Sequence, residues 1–151
     1  MGTLMLPPSG RVYVDSNAVI YAIERIEPYR TLLEPLWQAT YDGRIAIVTS
    51  ELTWLETLTK PIRDQNPQLE ALFREFLSAP EVTLIPATLP LWEQAARLRG
   101  LGLKTPDALH AATALMQQCV LFITNDPIFH RVPNLPVVVL ADVLRTPPEQ
   151  H

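Results

Sequence analysis

Five short apolar runs recur along this chain, separated by segments with helical periodicity. The runs are Arg11–Asp15, Ile45–Val48, Val82–Ile85, Val120–Thr124 and Val137–Leu140, each of strand length. They are close to continuously apolar rather than alternating, which predicts strands covered on both faces and hence a parallel sheet with helical crossovers. The segments between them supply those helices. Ser16–Arg25 follows the first strand, and Pro28–Tyr41 reads as a helix disturbed at Pro35. A helix from Thr49 or Ser50 to Lys60 follows the second strand. Leu69, Leu72, Phe73, Phe76 and Leu77 keep the i, i+3, i+4, i+7, i+8 spacing of an amphipathic helix. Thr88–Leu101 has Pro90 in its first turn and Gly102 as its stop, and Thr105–Gln118 has Thr105 as N-cap and Pro106 at N1. The expected fold is three-layer α/β/α with a five-stranded parallel sheet. One domain spans 1–151, with its core over about 11–140 and short flexible ends, including the last half-dozen residues around Pro147-Pro148.

Composition removes several function classes. With 48% apolar residues and a mean hydropathy of +0.10, the 151 residues can bury a core, which excludes disorder over most of the length. No apolar stretch approaches the roughly 18–20 residues that span a bilayer. The first ten residues have no basic n-region and Pro7-Pro8 cuts their apolar run, so no signal peptide is expected. The single cysteine, Cys119, excludes an internal disulfide and a Cys-rich zinc site, and its apolar neighbours predict a buried thiol. A cytoplasmic protein is the natural expectation. Five glycines form neither GxGxxG nor GxxxxGK[ST], which disfavours glycine-cradled dinucleotide or P-loop binding.

The acids are more informative. Ligands of open α/β sheets bind beyond the carboxyl ends of the strands. Asp15 closes the first strand there, and Asp126 lies two residues past Thr124. Asp107 sits in the first turn of its helix, and Glu56 lies about two turns into the helix after the second strand. If these elements are neighbours, four carboxylates converge on one pocket. Oxygen-only donors suit Mg²⁺ or Mn²⁺, and a divalent ion removes the repulsion that such a cluster otherwise suffers. Local roles compete with this: Asp15 and Asp126-Pro127 can cap helices, Asp107 can complement a helix dipole, and Thr53-x-x-Glu56 can be a capping box. Those roles explain each acid singly, but not their shared sheet edge.

Four segments then carry a resemblance: Val12-Tyr-Val-Asp15-Ser16-Asn17; Thr49-Ser50-Glu51-Leu52-Thr53-Trp54-Leu55-Glu56; Thr105-Pro106-Asp107-Ala108-Leu109-His110-Ala111-Ala112; and Phe122-Ile-Thr124-Asn125-Asp126. In this order the chain resembles PIN-domain proteins, in particular the VapC-type toxins of toxin–antitoxin pairs. The resemblance implies a metal-dependent endoribonuclease whose acids are Asp15, Glu56, Asp107 and Asp126. Asp15, Asp107 and Asp126 would ligate Mg²⁺ or Mn²⁺, with Glu56 acting partly through water or orienting the nucleophile. Ser16 and Asn17 match positions that order the first acid, and Thr124 and Asn125 match those that shape the fourth. An RNA substrate, a cognate antitoxin protein and a homodimer are implied in the same way. The antitoxin's C-terminal segment would lie in a groove walled by the Leu69/Phe73/Phe76 helix and the Ser50 helix.

A net charge of −4 argues against a broad basic surface. Setting the four site acids aside leaves 12 acidic residues against 12 basic ones, so phosphate binding would be led by metal. Arg97, Arg99 and Lys104, or Lys60 and Arg63, could support it locally, although ordinary solvated charge is the simpler reading of each. His110 lies three residues after Asp107 on the same helix face and reads as structural, since the sequence offers it no partner. Trp37, Trp54 and Trp92 read as packing residues. Two other classes compete. A non-catalytic PIN module is disfavoured by retention of all four acids. A HAD-type phosphohydrolase needs a second Asp two residues after the first, where this chain has Asn17.

Overall fold

The computed structural model describes residues 2–145. Its strands are β1 (Gly10–Val14), β2 (Ile45–Ser50), β3 (Val82–Ile85), β4 (Leu121–Thr124) and β5 (Val137–Val139). All pair in parallel, in the order β3-β2-β1-β4-β5. The helices are α1 (Ser16–Ile23), α2 (Tyr29–Tyr41), α3 (Glu51–Arg63), α4 (Pro67–Leu77), α5 (Leu89–Arg99), α6 (Thr105–Met116) and α7 (Leu140–Arg145), with a 3₁₀ turn at Pro127–Arg131. The expected three-layer α/β/α architecture is the one observed.

Side-chain alternation along the strands divides the core in two. Val12, Val14, Ile45, Ile47 and Ile123 face α1, α2, α4 and α7 through Val19, Leu33, Leu36, Phe73, Leu77 and Leu140. Tyr13, Val48 and Phe122 face the other way, onto α5 and α6 through Leu91, Leu98, Ala108, Ala111 and Ala112. The small side chains of α6 let its backbone lie close to the sheet. Helices on opposite faces let the chain wind outward from β1 in both directions with right-handed crossovers. Strand order therefore reverses between β1 and β4, the place where such sheets open a binding crevice.

Several expected boundaries move. The last helix before β4 starts at Thr105 with Lys104 as its N-cap, because the Lys104 carbonyl already accepts from Ala108 N–H. Thr105 is thus inside the helix. Ser50 caps α3 by accepting from Leu52 N–H, which rules out the Thr53-x-x-Glu56 capping box, and α3 runs past Lys60 through Pro61 to Arg63. The final strand stops at Val139, and the unexpected α7 follows directly. Leu72 is 48% exposed and Trp92 44% exposed, so both reach the surface, whereas Trp37 and Trp54 pack on the core. Cys119 is buried, and burial pushes its thiol up to about 12. No described helix is long and apolar enough to cross a membrane. The expected flexible tail around Pro147-Pro148 lies outside the described residues.

Candidate functional site

The carboxyl ends of β1 and β4 lie side by side, and Asp15 stands at the junction. It ends β1 in an extended conformation and caps α1, its Oδ1 accepting from Ala18 N–H at 3.1 Å. Its Oδ2 accepts from the Thr124 hydroxyl at 2.6 Å. Only 5% of the residue is exposed. Burial raises its carboxyl above the ordinary value and Glu56 adds to the rise, against the opposing pull of His110, Thr124 and Ala18 N–H.

Glu56 reaches the same edge from α3. Its Oε1 accepts from the Ser16 hydroxyl and meets His110 Nε2, each at 2.7 Å. Partial burial pushes this carboxyl up, but the hydrogen bonds and charge of His110 and the Ser16 hydroxyl outweigh it and hold the group below its ordinary value. His110 is buried, and its Nδ1 pairs with the Tyr13 hydroxyl. Tyr13 stacks flat on Phe122 within the sheet's α5–α6 face, and burial raises its phenol well above the ordinary range.

Asp107, half-buried in the first turn of α6, is raised above its ordinary value by burial, then by the charge of Asp126 and, more weakly, of Glu56. Asp126 is exposed; its Oδ1 caps the 3₁₀ turn by accepting from Ile128 N–H, and its own N–H bonds Thr124 Oγ1 at 3.1 Å. The capping roles of Asp15 and Asp126 are therefore real. Asp15 and Glu56 form one interacting pair and Asp107 and Asp126 another, with Glu56 felt by both. Among the described residues no three Asp, Glu, His or Cys side chains are gathered closely enough to clasp an ion as they stand. The set fits a hard divalent cation through its oxygen donors and the burial and mutual repulsion that raise Asp15 and Asp107, not through a preformed cage.

The helper residues are distributed differently from expectation. Ser16 serves Glu56 rather than the first acid, and Asn17 is exposed at the rim. Thr124 serves both Asp15 and the backbone of Asp126. Asn125 turns away from the acids, donating to Tyr21 Oη and accepting from Ala141 N–H, so it fastens α7 to α1. His110 is structural in the sense of being buried, yet it has partners in Tyr13 and Glu56. Tyr13 was not legible as a site residue, since only the fold brings it 97 positions along the chain to His110. Among the bases, Lys60 pairs with Glu24, Arg63 with Asp64, and Arg99 donates to the Leu103 carbonyl. Lys104 stays exposed near Asp107, whose charge it favours.

A separate groove of about 730 Å³ opens between α1, α2 and the end of α4 beside β3. Ala22, Ile23, Trp37, Phe76 and Val82 line it, with Glu34 and Glu81. Helix α3 is no wall of this groove; the α3 and α4 walls expected border a second opening of about 510 Å³, lined by Trp54, Leu55, Leu58, Ile62 and Arg74, while Phe73 is spent on the core. Among the described residues the Trp37 indole N–H is buried without a hydrogen-bond partner.

The family model described as the PIN domain matches residues 12–135. No curated protein matches the sequence significantly. Solved structures do. VapBC2 from Rickettsia felis, bound to a DNA fragment from its promoter, is 22% identical, with a TM-score of 0.64 over 85% of this chain and 97% of that one. A toxin–antitoxin complex from Klebsiella pneumoniae is 24% identical, with a TM-score of 0.63 over 84% and 95%. VapC20 from Mycobacterium tuberculosis, a sarcin-ricin loop cleaving toxin, is 17% identical, with a TM-score of 0.65 over 79% and 92%.

Proposed function

The chain belongs to the PIN-domain family, and from that premise we propose that it is a Mg²⁺- or Mn²⁺-dependent endoribonuclease, the VapC-type toxin of a toxin–antitoxin pair. The observation that carries the reading is the electrostatic linkage beside the strand-order reversal, where Asp15 feels Glu56 and Asp107 feels both Asp126 and Glu56, so that burial and neighbouring charge raise two carboxyls. Asp15, Asp107 and Asp126 would hold the ion. When bound, Mg²⁺ or Mn²⁺ supplies Lewis-acid stabilisation of the charge that builds on the phosphate and leaving oxygen.

The protein's own groups do the rest. Asp15 is fixed from both oxygens by Ala18 N–H and Thr124, so its position costs little reorganisation. Glu56, held below the ordinary carboxyl value, stays ionised at neutral pH and can take the proton that the attacking water loses. The bond from phosphorus to the leaving oxygen breaks as the bond to water forms. Exposed Lys104 lies where it can meet the RNA backbone.

The partner reading follows the neighbours, several of which are toxin–antitoxin complexes. We place the antitoxin segment in the α1–α2–α4 groove, whose apolar floor and two glutamates suit an apolar segment carrying basic residues. A homodimer in the cytoplasm completes the proposal. The one observation that favours a second reading, a non-catalytic PIN module, is that no three potential ligands are pre-gathered among the described residues.

Incubating the protein and its Asp15→Asn variant with total cellular RNA, in Mn²⁺ or EDTA, and sequencing new 5′ ends separates the two. Discrete ends that need both Mn²⁺ and Asp15 support the nuclease and identify its RNA. No such ends, from folded protein, favour the binding module.

A further inference from the structure

His110 engages both ring nitrogens while only 3% exposed. An ionised carboxylate can only accept, so the hydrogen between His110 and Glu56 belongs to His110 Nε2. With the ring uncharged Nδ1 accepts from the Tyr13 hydroxyl; with it charged Nδ1–H donates to the Tyr13 oxygen, and in either state Nε2–H faces Glu56. Tyr13 itself is fully buried in the central strand, its ring stacked on Phe122 at 5.0 Å and 2°. A rigid line of contacts therefore runs from β1 through Tyr13 and His110 to Glu56. The Ser16 hydroxyl donates to the same Glu56 oxygen, Oε1.

We propose that His110, keyed by Tyr13, is a positioning residue that holds Glu56 in one orientation, with Oε1 occupied and Oε2 left for the reaction. This rests on the nuclease reading above and deepens it. Two donors on Oε1 fix the carboxylate plane, which a side chain with three rotatable bonds on a half-buried helix face does not hold unaided. Any buried imidazole needs partners for its nitrogens; what singles this one out is that its Nε2 partner is the Glu56 carboxylate beside the other acids.

The test compares His110→Leu, His110→Gln and Tyr13→Phe in the full chain, each checked for a cooperative melt. Leucine keeps apolar volume and loses the donor, whereas the glutamine amide can replace Nε2–H. Positioning predicts that His110→Leu lowers kcat about 10- to 100-fold with KM for RNA little changed, that His110→Gln restores most of it, and that Tyr13→Phe falls between. Equal kcat in wild type and a folded His110→Leu overturns the proposal; if that variant does not fold, equal kcat in Tyr13→Phe does so. A second readout needs no activity: the long-range ¹H–¹⁵N spectrum of the metal-free protein should show His110 Nε2 protonated. A ring carrying its only proton on Nδ1 overturns the proposal. If the wild type cuts no RNA, the nuclease reading fails, and the ring spectrum alone decides whether His110 holds Glu56.

Discussion

The Thr124 hydroxyl donates to Asp15 Oδ2 at 2.6 Å, tying the end of β4 to the end of β1. Thr124 Oγ1 in turn accepts from Asp126 N–H, so one buried hydroxyl registers two acids that are 111 residues apart in sequence. Thr124→Val keeps the shape of the side chain and removes both bonds. Leaving a buried carboxylate short of a donor costs about 1–3 kcal/mol. At about 2–4 °C per kcal/mol for a domain near this size, the melting temperature should fall by roughly 2–12 °C, read by calorimetry. An unchanged melt would show that the bond adds nothing.

The raised Asp15 carboxyl predicts a pH dependence of defined sign. Burial favours its protonated form in the folded state, so this group's contribution is fullest below the ordinary carboxyl value, about 3.9, and is lost as pH rises through the raised value. Asp15→Asn cannot titrate there. In EDTA, the variant's stability relative to wild type should therefore increase as pH rises from about 4 toward neutrality. Parallel denaturant-midpoint curves for the two proteins would contradict the burial argument.

The α1–α2–α4 groove predicts a separation of binding from catalysis. Ala22 lines the groove on α1 and is not among the acids or their hydrogen-bond partners. Ala22→Arg should weaken capture of the cognate antitoxin by at least about tenfold, the equivalent of 1.4 kcal/mol, while RNA cleavage by the free protein stays within about twofold. Pull-down with the purified antitoxin and a cleavage assay read the two effects. Undiminished capture moves the partner to another face.

Sheet and helices were legible because continuous apolar runs and 3.6-residue periodicity are local signals, and Val12–Val14 or Phe73–Leu77 carry them without their neighbours. The sheet-edge placement of Asp15 and Asp126 was legible for the same reason, since a strand's end fixes the residue that follows it. What escaped depends on packing between distant segments. Tyr13 and His110 look like ordinary strand and helix residues until β1 and α6 meet. Ser16 faces Glu56 only because α1 and α3 lie together. The six-residue α7 is too short for periodicity to reveal, and Asn125, holding Ala141 N–H from β4's end, fixes where it begins.

The central claim is that Asp15, Asp107 and Asp126 hold a divalent cation beside Glu56, and a calorimetric Mn²⁺ titration of wild type, Asp15→Asn and Asp107→Asn tests it most directly. Saturable binding by the wild type, weakened about tenfold or more in each variant, is the predicted result, one lost carboxylate ligand being worth at least about 1.4 kcal/mol. Equal Mn²⁺ affinity in all three proteins, or none in a folded wild type, would contradict it.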